Sequence, residues 1–162
     1  MPIVNYLHTI VLSKYWNTNQ WQSWADRLIV CNDNLEEWVY DVAIAKSREE
    51  LLLAIAHEKT IEIFNKETLY WEPDVVIGYY YLMFQESRIK LSELFEKLFD
   101  EDDASSESEF FDSQEAKRIL NQARKDEYNL EKIDKILEPF AKIAKKQLEA
   151  LQHYERDKNV ER

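Results

Sequence analysis

His57 and Glu58 open as a helical zinc-hydrolase motif opens, in which two histidines one turn apart hold the metal and the glutamate between them acts as base. The second histidine would fall on Ile61, so the motif stops there. Carboxylate-bridged di-iron bundles need a glutamate three residues before a histidine on each of two helices. Ala54 and Ala150 stand three residues before His57 and His153. His8, His57 and His153 therefore read as ordinary surface or partly packed side chains. Cys31 is the only cysteine and follows Ile29 and Val30, which suits a buried, reduced thiol with no internal disulfide to make. Gly78 is the only glycine, so no glycine-rich loop exists to close backbone amides around a phosphate. These spacings predict no metal and no organic cofactor.

Carboxylate is what the chain has in excess. Its 32 acids and 21 bases leave a formal charge of -11. Eight acids fall between Asp100 and Glu115 without one base: Asp100, Glu101, Asp102, Asp103, Glu107, Glu109, Asp112 and Glu115. Residues 1–99 carry 15 acids against 9 bases and residues 116–162 carry 9 against 12, so the segments contribute -6, -8 and +3. A block of like charge repels itself and stays solvated, as a linker or as a surface for something basic. Asp100, Glu101, Asp102, Asp103, Glu107, Glu109 and Asp112 are the partner-binding candidates. With so many acids, close pairs are expected by chance, and none is singled out as a general acid and base. Direct binding to nucleic acid is disfavoured, because that needs lysine and arginine to displace counterions.

The length, 162 residues, suits a single helical domain, with sub-halves at 1–99 and 112–162 joined by the acidic loop 100–111. Forty-five per cent hydrophobic residues argue against wholesale disorder. The apolar stretches Tyr6 to Leu12 and Val75 to Phe84 are too short to span a membrane. Residues 1–16 show no basic region and no small-residue cleavage site, so a cytoplasmic protein without a secretory signal is expected.

Helical spacing recurs along the chain. Trp21, Trp24, Ala25 and Leu28 share one face, and Leu35, Trp38, Val39 and Val42 repeat the pattern with Asp33 and Glu36 as a capping pair. Ser47 and Glu50 form a second capping box. Residues 59–72 stay open between strand and helix, since Ile61 and Ile63 alternate while Glu62 and Lys66 suit a helix. Pro73 and Asp74 start the next helix, and Ser92 is placed to cap another that should fray at Asp100 to Asp103, where acid meets the negative end of the helix dipole. Ala104 to Ser108 reads as a small polar linker. Asp112 and Glu115 then sit at the N-terminus of a helix carrying Ala116, Ile119, Leu120 and Ala123. Ile133, Leu137, Phe140, Ala144, Leu148 and Leu151 form a last stripe, which Pro139 should kink or split. The expected fold is all-α, with about six to eight helices and an acidic inter-helix loop.

Trp21, Trp24, Trp38 and the run Tyr79 to Tyr81 lie mostly on core stripes. Neighbours on a helix differ by about 100 degrees, so the three tyrosines are not all expected to point inward, and Trp16 lies among Asn17, Thr18 and Asn19. An exposed aromatic near acids could anchor a protein partner.

Trp21-Gln22-Ser23-Trp24-Ala25-Asp26, Asn34-Leu35-Glu36-Glu37-Trp38, Gly78-Tyr79-Tyr80-Tyr81-Leu82 and Ile89-Lys90-Leu91-Ser92 resemble segments of the helical immunity proteins of bacterial polymorphic and contact-dependent inhibition toxin systems. The resemblance spans roughly residues 20–100. It implies a non-enzymatic, cytoplasmic protein, monomeric when free, that binds one cognate toxin domain and covers its active or substrate-binding surface. Many such toxins are basic nucleases, which suits an acidic inhibitor. The resemblance assigns no contact residue. Three other readings stay open: a nucleic-acid-mimicking inhibitor of a nucleic-acid enzyme, an enzyme with an unrecognised carboxylate site, and a helical scaffold using the stripe from Ile133 to Leu151.

Overall fold

The structure, a computed structural model, describes residues 1–65, 67, 70–123 and 129–157. Among them every regular element is a helix, nine in all, as the expected all-α class requires: α1 (Ile3–Leu12), α2 (Thr18–Cys31), α3 (Glu37–Ile44), α4 (Arg48–Ala54), α5 (Ala56–Phe64), α6 (Glu72–Gln85), α7 (Leu91–Leu98), α8 (Ser113–Ala123) and α9 (Asn129–Asp157). The chain divides into two compact units. One comprises residues 1–69 and 146–162, the other residues 70–145. The acidic loop 100–111 thus lies inside the second unit, and the division falls at 69/70 and 145/146.

In the first unit α2 packs against α3, and α1 against α4 and α5. Its core is aromatic. Trp24 stacks at ring-centre distances of 6.2 Å on Trp38 and 6.3 Å on Tyr154, and meets Trp16 at 6.2 Å. The Trp24 indole N–H donates to the Leu151 carbonyl at 3.1 Å, which satisfies the one polar atom the ring carries inward. Trp16 is buried with the others despite its polar neighbours. Asn17 accepts from the Gln20 backbone N–H at 3.1 Å while the Gln20 amide oxygen accepts from the Asn17 N–H at 2.8 Å, a reciprocal cap that starts α2 just beyond the ring.

Local signals of helix starts succeed unevenly. Ser47 accepts from the Glu50 N–H at 3.1 Å, as its spacing predicts. Asp33 and Glu36 do not form the expected pair: Glu36 is itself the residue before α3, and its carboxylate takes the Trp38 indole N–H at 2.5 Å. Ser92 does not cap α7, which begins one residue earlier, after Lys90. The segment left open at 59–72 is helical as far as Phe64, and Lys66 lies outside the described residues.

The second unit is organised around α6, whose residues from Pro73 to Met83 are all buried. The expectation that one of Tyr79 to Tyr81 faces water is therefore overturned. Apolar side chains run all round this helix, which is the pattern of a central rather than a surface helix. Gly78 sets the closest approach: a Cβ there would lie 2.2 Å from the Phe140 carbonyl oxygen of α9 and 3.0 Å from the Ala144 Cβ. Pro139 does not split α9, which runs unbroken from Asn129 to Asp157. Buried Leu137, Phe140 and Ala141 flank the proline, so packing carries the helix past the missing hydrogen bond. Ile133, Leu137, Phe140, Ala144 and Leu151 are buried within the chain, which removes them as a free stripe for a scaffold. Leu120 and Ala123 lie outside the described side chains.

Candidate partner-binding site

The acidic segment begins where α7 ends. α7 stops at Leu98, ahead of the first acid, as the dipole argument requires. Asp100 to Ser108 then fold into successive turns, with Asp103 N–H bonded to the Asp100 carbonyl at 3.2 Å and Ser106 N–H to the Asp103 carbonyl at 3.0 Å. The Asp100 carboxylate accepts from the Asp102 N–H at 3.0 Å.

The expectation of a loose linker at Ala104 to Ser108 is overturned, because polar side chains hold this stretch where apolar ones are missing. Tyr80, buried on α6, donates its hydroxyl to Asp103 at 3.0 Å from each carboxylate oxygen. The same carboxylate accepts from the Ser105 N–H at 2.9 Å and the Ser105 hydroxyl at 2.8 Å, and Ser105 is only 3% exposed. Ser108 donates its hydroxyl to the buried Asp74 near the start of α6 and accepts the Phe111 N–H at 3.1 Å. The Trp71 indole N–H donates to the Glu107 carbonyl at 2.9 Å. Hydrogen bonds to a charged partner contribute about 1.5–3 kcal/mol each when they are sheltered, enough to fix a segment of this size.

Of the seven candidate carboxylates, Asp100, Glu101, Asp102, Glu107, Glu109 and Asp112 are exposed. Asp103 is half-buried and committed to Tyr80 and Ser105, so it supports the surface rather than contributing to it. Asp112 caps α8, accepting the Gln114 and Glu115 N–H groups at 2.9 and 3.0 Å. Glu115 turns to Arg118, with contacts of 2.9 and 2.6 Å, and that hydrogen bond lowers its carboxyl below the usual range.

Exposed aromatics accompany these acids. Phe111 points inward, edge-on to Phe140 at 6.4 Å and among Phe95, Leu98 and Ile119, while its neighbour Phe110 is 78% exposed. Tyr70 and Trp71 are about half exposed. Trp38 and Tyr79 to Tyr81 are buried as their core stripes predict, and Trp16, which its polar neighbours left open as an exposed anchor, is buried too. Phe110 and Trp71 were legible only as aromatics outside any helical stripe, flanked by Glu109 and Glu72.

Among the described residues no group of His, Cys, Asp and Glu is arranged to hold a metal ion, and no helix is long and apolar enough to cross a membrane. No family model, no curated protein and no solved structure matches the chain, so this surface carries the functional reading.

Proposed function

We propose that this chain is a non-enzymatic, immunity or antitoxin-like protein that binds and neutralises a cognate basic toxin domain, a nuclease in class, by covering its active or substrate-binding surface. One observation carries the reading. Asp100, Glu101, Asp102, Glu107 and Glu109 stand exposed, with Phe110 next in the chain, on a segment held by Tyr80, Asp74 and Trp71.

The mechanism follows from that arrangement. A nuclease concentrates lysine and arginine where it holds the phosphate backbone. Asp100, Glu101, Asp102, Glu107 and Glu109 offer those cations carboxylates on a scaffold that is already ordered, so little conformational entropy is lost on docking. Exposed Phe110 supplies the apolar contact that charge alone lacks. Long-range attraction from the summed charge accelerates encounter, and short-range packing sets the lifetime of the complex.

The test is association kinetics with the partner. Exchanging Asp100, Glu101, Asp102, Glu107 and Glu109 for their amides should slow association at least tenfold at low salt and change dissociation less. The reading fails if the rates are unchanged.

A further inference from the structure

Helix α5 is built inside out. Its Glu62 carboxylate turns to α1 and accepts the Val4 and Asn5 N–H groups, both at 2.8 Å, and the Asn5 side-chain amide at 2.6 Å. Its Lys59 ammonium lies 3.1 Å from His8 Nδ1. Ile61, Ile63 and Phe64, by contrast, are 38%, 49% and 79% exposed, and no residue of α5 is buried. A surface helix normally gives its apolar side to the core and its charged side to water. Ile61 and Phe64, three positions apart, share a face of the helix, and neighbouring exposed apolar side chains of this kind mark an interaction surface.

Ile61 also lines a cleft of about 350 Å³ in the first unit, bordered by Glu36, Glu58, Glu62 and Glu67 and walled by Trp38 and Tyr154. The Met1 ammonium pairs with Glu67 at 2.9 Å, and the carboxylates still outnumber it. Burial and then the charges of Glu36 and Glu62 push the Tyr154 phenol above its ordinary value, a sign that these carboxylates project their field into the cleft.

We infer that α5 and this cleft form a docking surface for a basic amphipathic segment of a protein partner, its apolar residues covering Ile61 and Phe64, which stand three positions apart on one face of α5, and a lysine or arginine entering the cleft. Charge complementarity selects this occupant. A second copy of the chain would bring the same glutamates face to face in a two-fold contact, and an anionic lipid surface would be repelled. Carboxylates beside aromatic rings suit an ammonium or guanidinium, and an amphipathic helix on an apolar strip is a familiar recognition mode. The inference needs a basic protein partner but not that the partner be a toxin, and it leaves residues 100–112 uninvolved.

The probe is a synthetic helix-forming peptide with leucine on one face and lysine on the other, beside a scrambled peptide of the same composition. Binding is followed by amide and indole NMR shifts on the full chain. Shifts should appear at residues 56–64 and at the Trp38 indole N–H, and the scrambled peptide should bind at least tenfold more weakly. The surface variant I61S/F64S and, separately, E58Q should each lose affinity, about tenfold for the former. Amides at Asp100, Glu101 and Asp102 should leave the peptide's affinity within twofold of wild type, which separates this surface from the acidic segment. Equal binding of the scrambled peptide, shifts confined to residues 100–112, or unchanged affinity in I61S/F64S would each overturn the inference. So would a wild-type dimer, seen by sedimentation, that F64S dissociates.

Discussion

The Tyr80 hydroxyl sits 3.0 Å from both oxygens of the Asp103 carboxylate, so the most buried helix of the second unit grips the most acidic stretch of the chain. Removing that hydroxyl leaves the Asp103 carboxylate with only the two Ser105 donors. Tyr80→Phe should lower stability by about 1–2 kcal/mol. Its more telling effect is local: amide exchange at residues 103–108 should quicken more than exchange in α6. Uniform quickening across the second unit would mean that the bond serves the core and not the acidic surface.

Phe110 and Phe111 are adjacent but face opposite ways, and they should behave oppositely. Phe110→Ser should change stability by no more than about 0.5 kcal/mol, because the ring is already in water. Phe111→Ser, which empties the contact with Phe140, should cost about 2–4 kcal/mol. Chemical denaturation of the two variants checks the pair. Partner affinity should fall for Phe110→Ser about tenfold despite its intact fold.

Gly78 is required by contact and not by backbone conformation. Alanine is the better helix former by about 1 kcal/mol, yet its methyl would press on the Phe140 carbonyl, a backbone group that cannot rotate away. Gly78→Ala should therefore destabilise by a net of about 1–3 kcal/mol. Adding Ala144→Gly should not restore stability, because the nearest obstacle is backbone. Full rescue by the double variant, measured by urea midpoint, would contradict the packing described here.

Tyr81 donates to Asp134, and its phenol is pushed up, first by burial and then by that bond and the Asp134 charge. The folded chain thus keeps a proton that the unfolded chain releases near its ordinary value of 10.0. The contribution is complete below that value and is lost as pH rises through the higher folded one, so stability falls with alkaline pH. Tyr81→Phe should flatten part of that fall while costing about 0.5–1.5 kcal/mol at neutral pH. Urea midpoints compared above and below pH 10 give the answer, and an unchanged slope would exclude Tyr81 from the effect.

Much of this architecture was legible where the signal is local. The stripe of Trp21, Trp24 and Leu28, the Ser47 cap, the Pro73 start and the Asp112 cap all depend on successive residues no more than four positions apart. α1 escaped because its N-terminal amides are satisfied by Glu62, 58 positions away from Val4, and no local residue marks its start. The acidic segment was found by its charge, but its order was not, because the groups that fix it, Asp74 and Tyr80 of α6 and Trp71 just before it, are distant in sequence. The same distance hid the anchors: Phe110 and Phe111 look alike in sequence and differ only in which one meets Phe140.

The charge should also make binding salt-dependent in a specific way. Raising ionic strength from about 0.01 to 0.15 M shortens the Debye length from roughly 30 to 8 Å, so it should remove most of the association advantage of wild type over a chain neutralised at Asp100, Glu101, Asp102, Glu107 and Glu109. A difference that persists unchanged at the higher salt would point to short-range contacts at these residues instead of steering.

Neutralisation of a basic nuclease is checked by capture at low salt on immobilised wild-type chain and on the neutralised chain in parallel, followed by assay of whatever only the wild type retains. One basic protein should be held by wild type and lost from the neutralised chain, should degrade nucleic acid when freed, and should stop when wild type is added back in equimolar amount. Retention of the same proteins by both chains, or a retained protein whose activity the wild type leaves untouched, would contradict it.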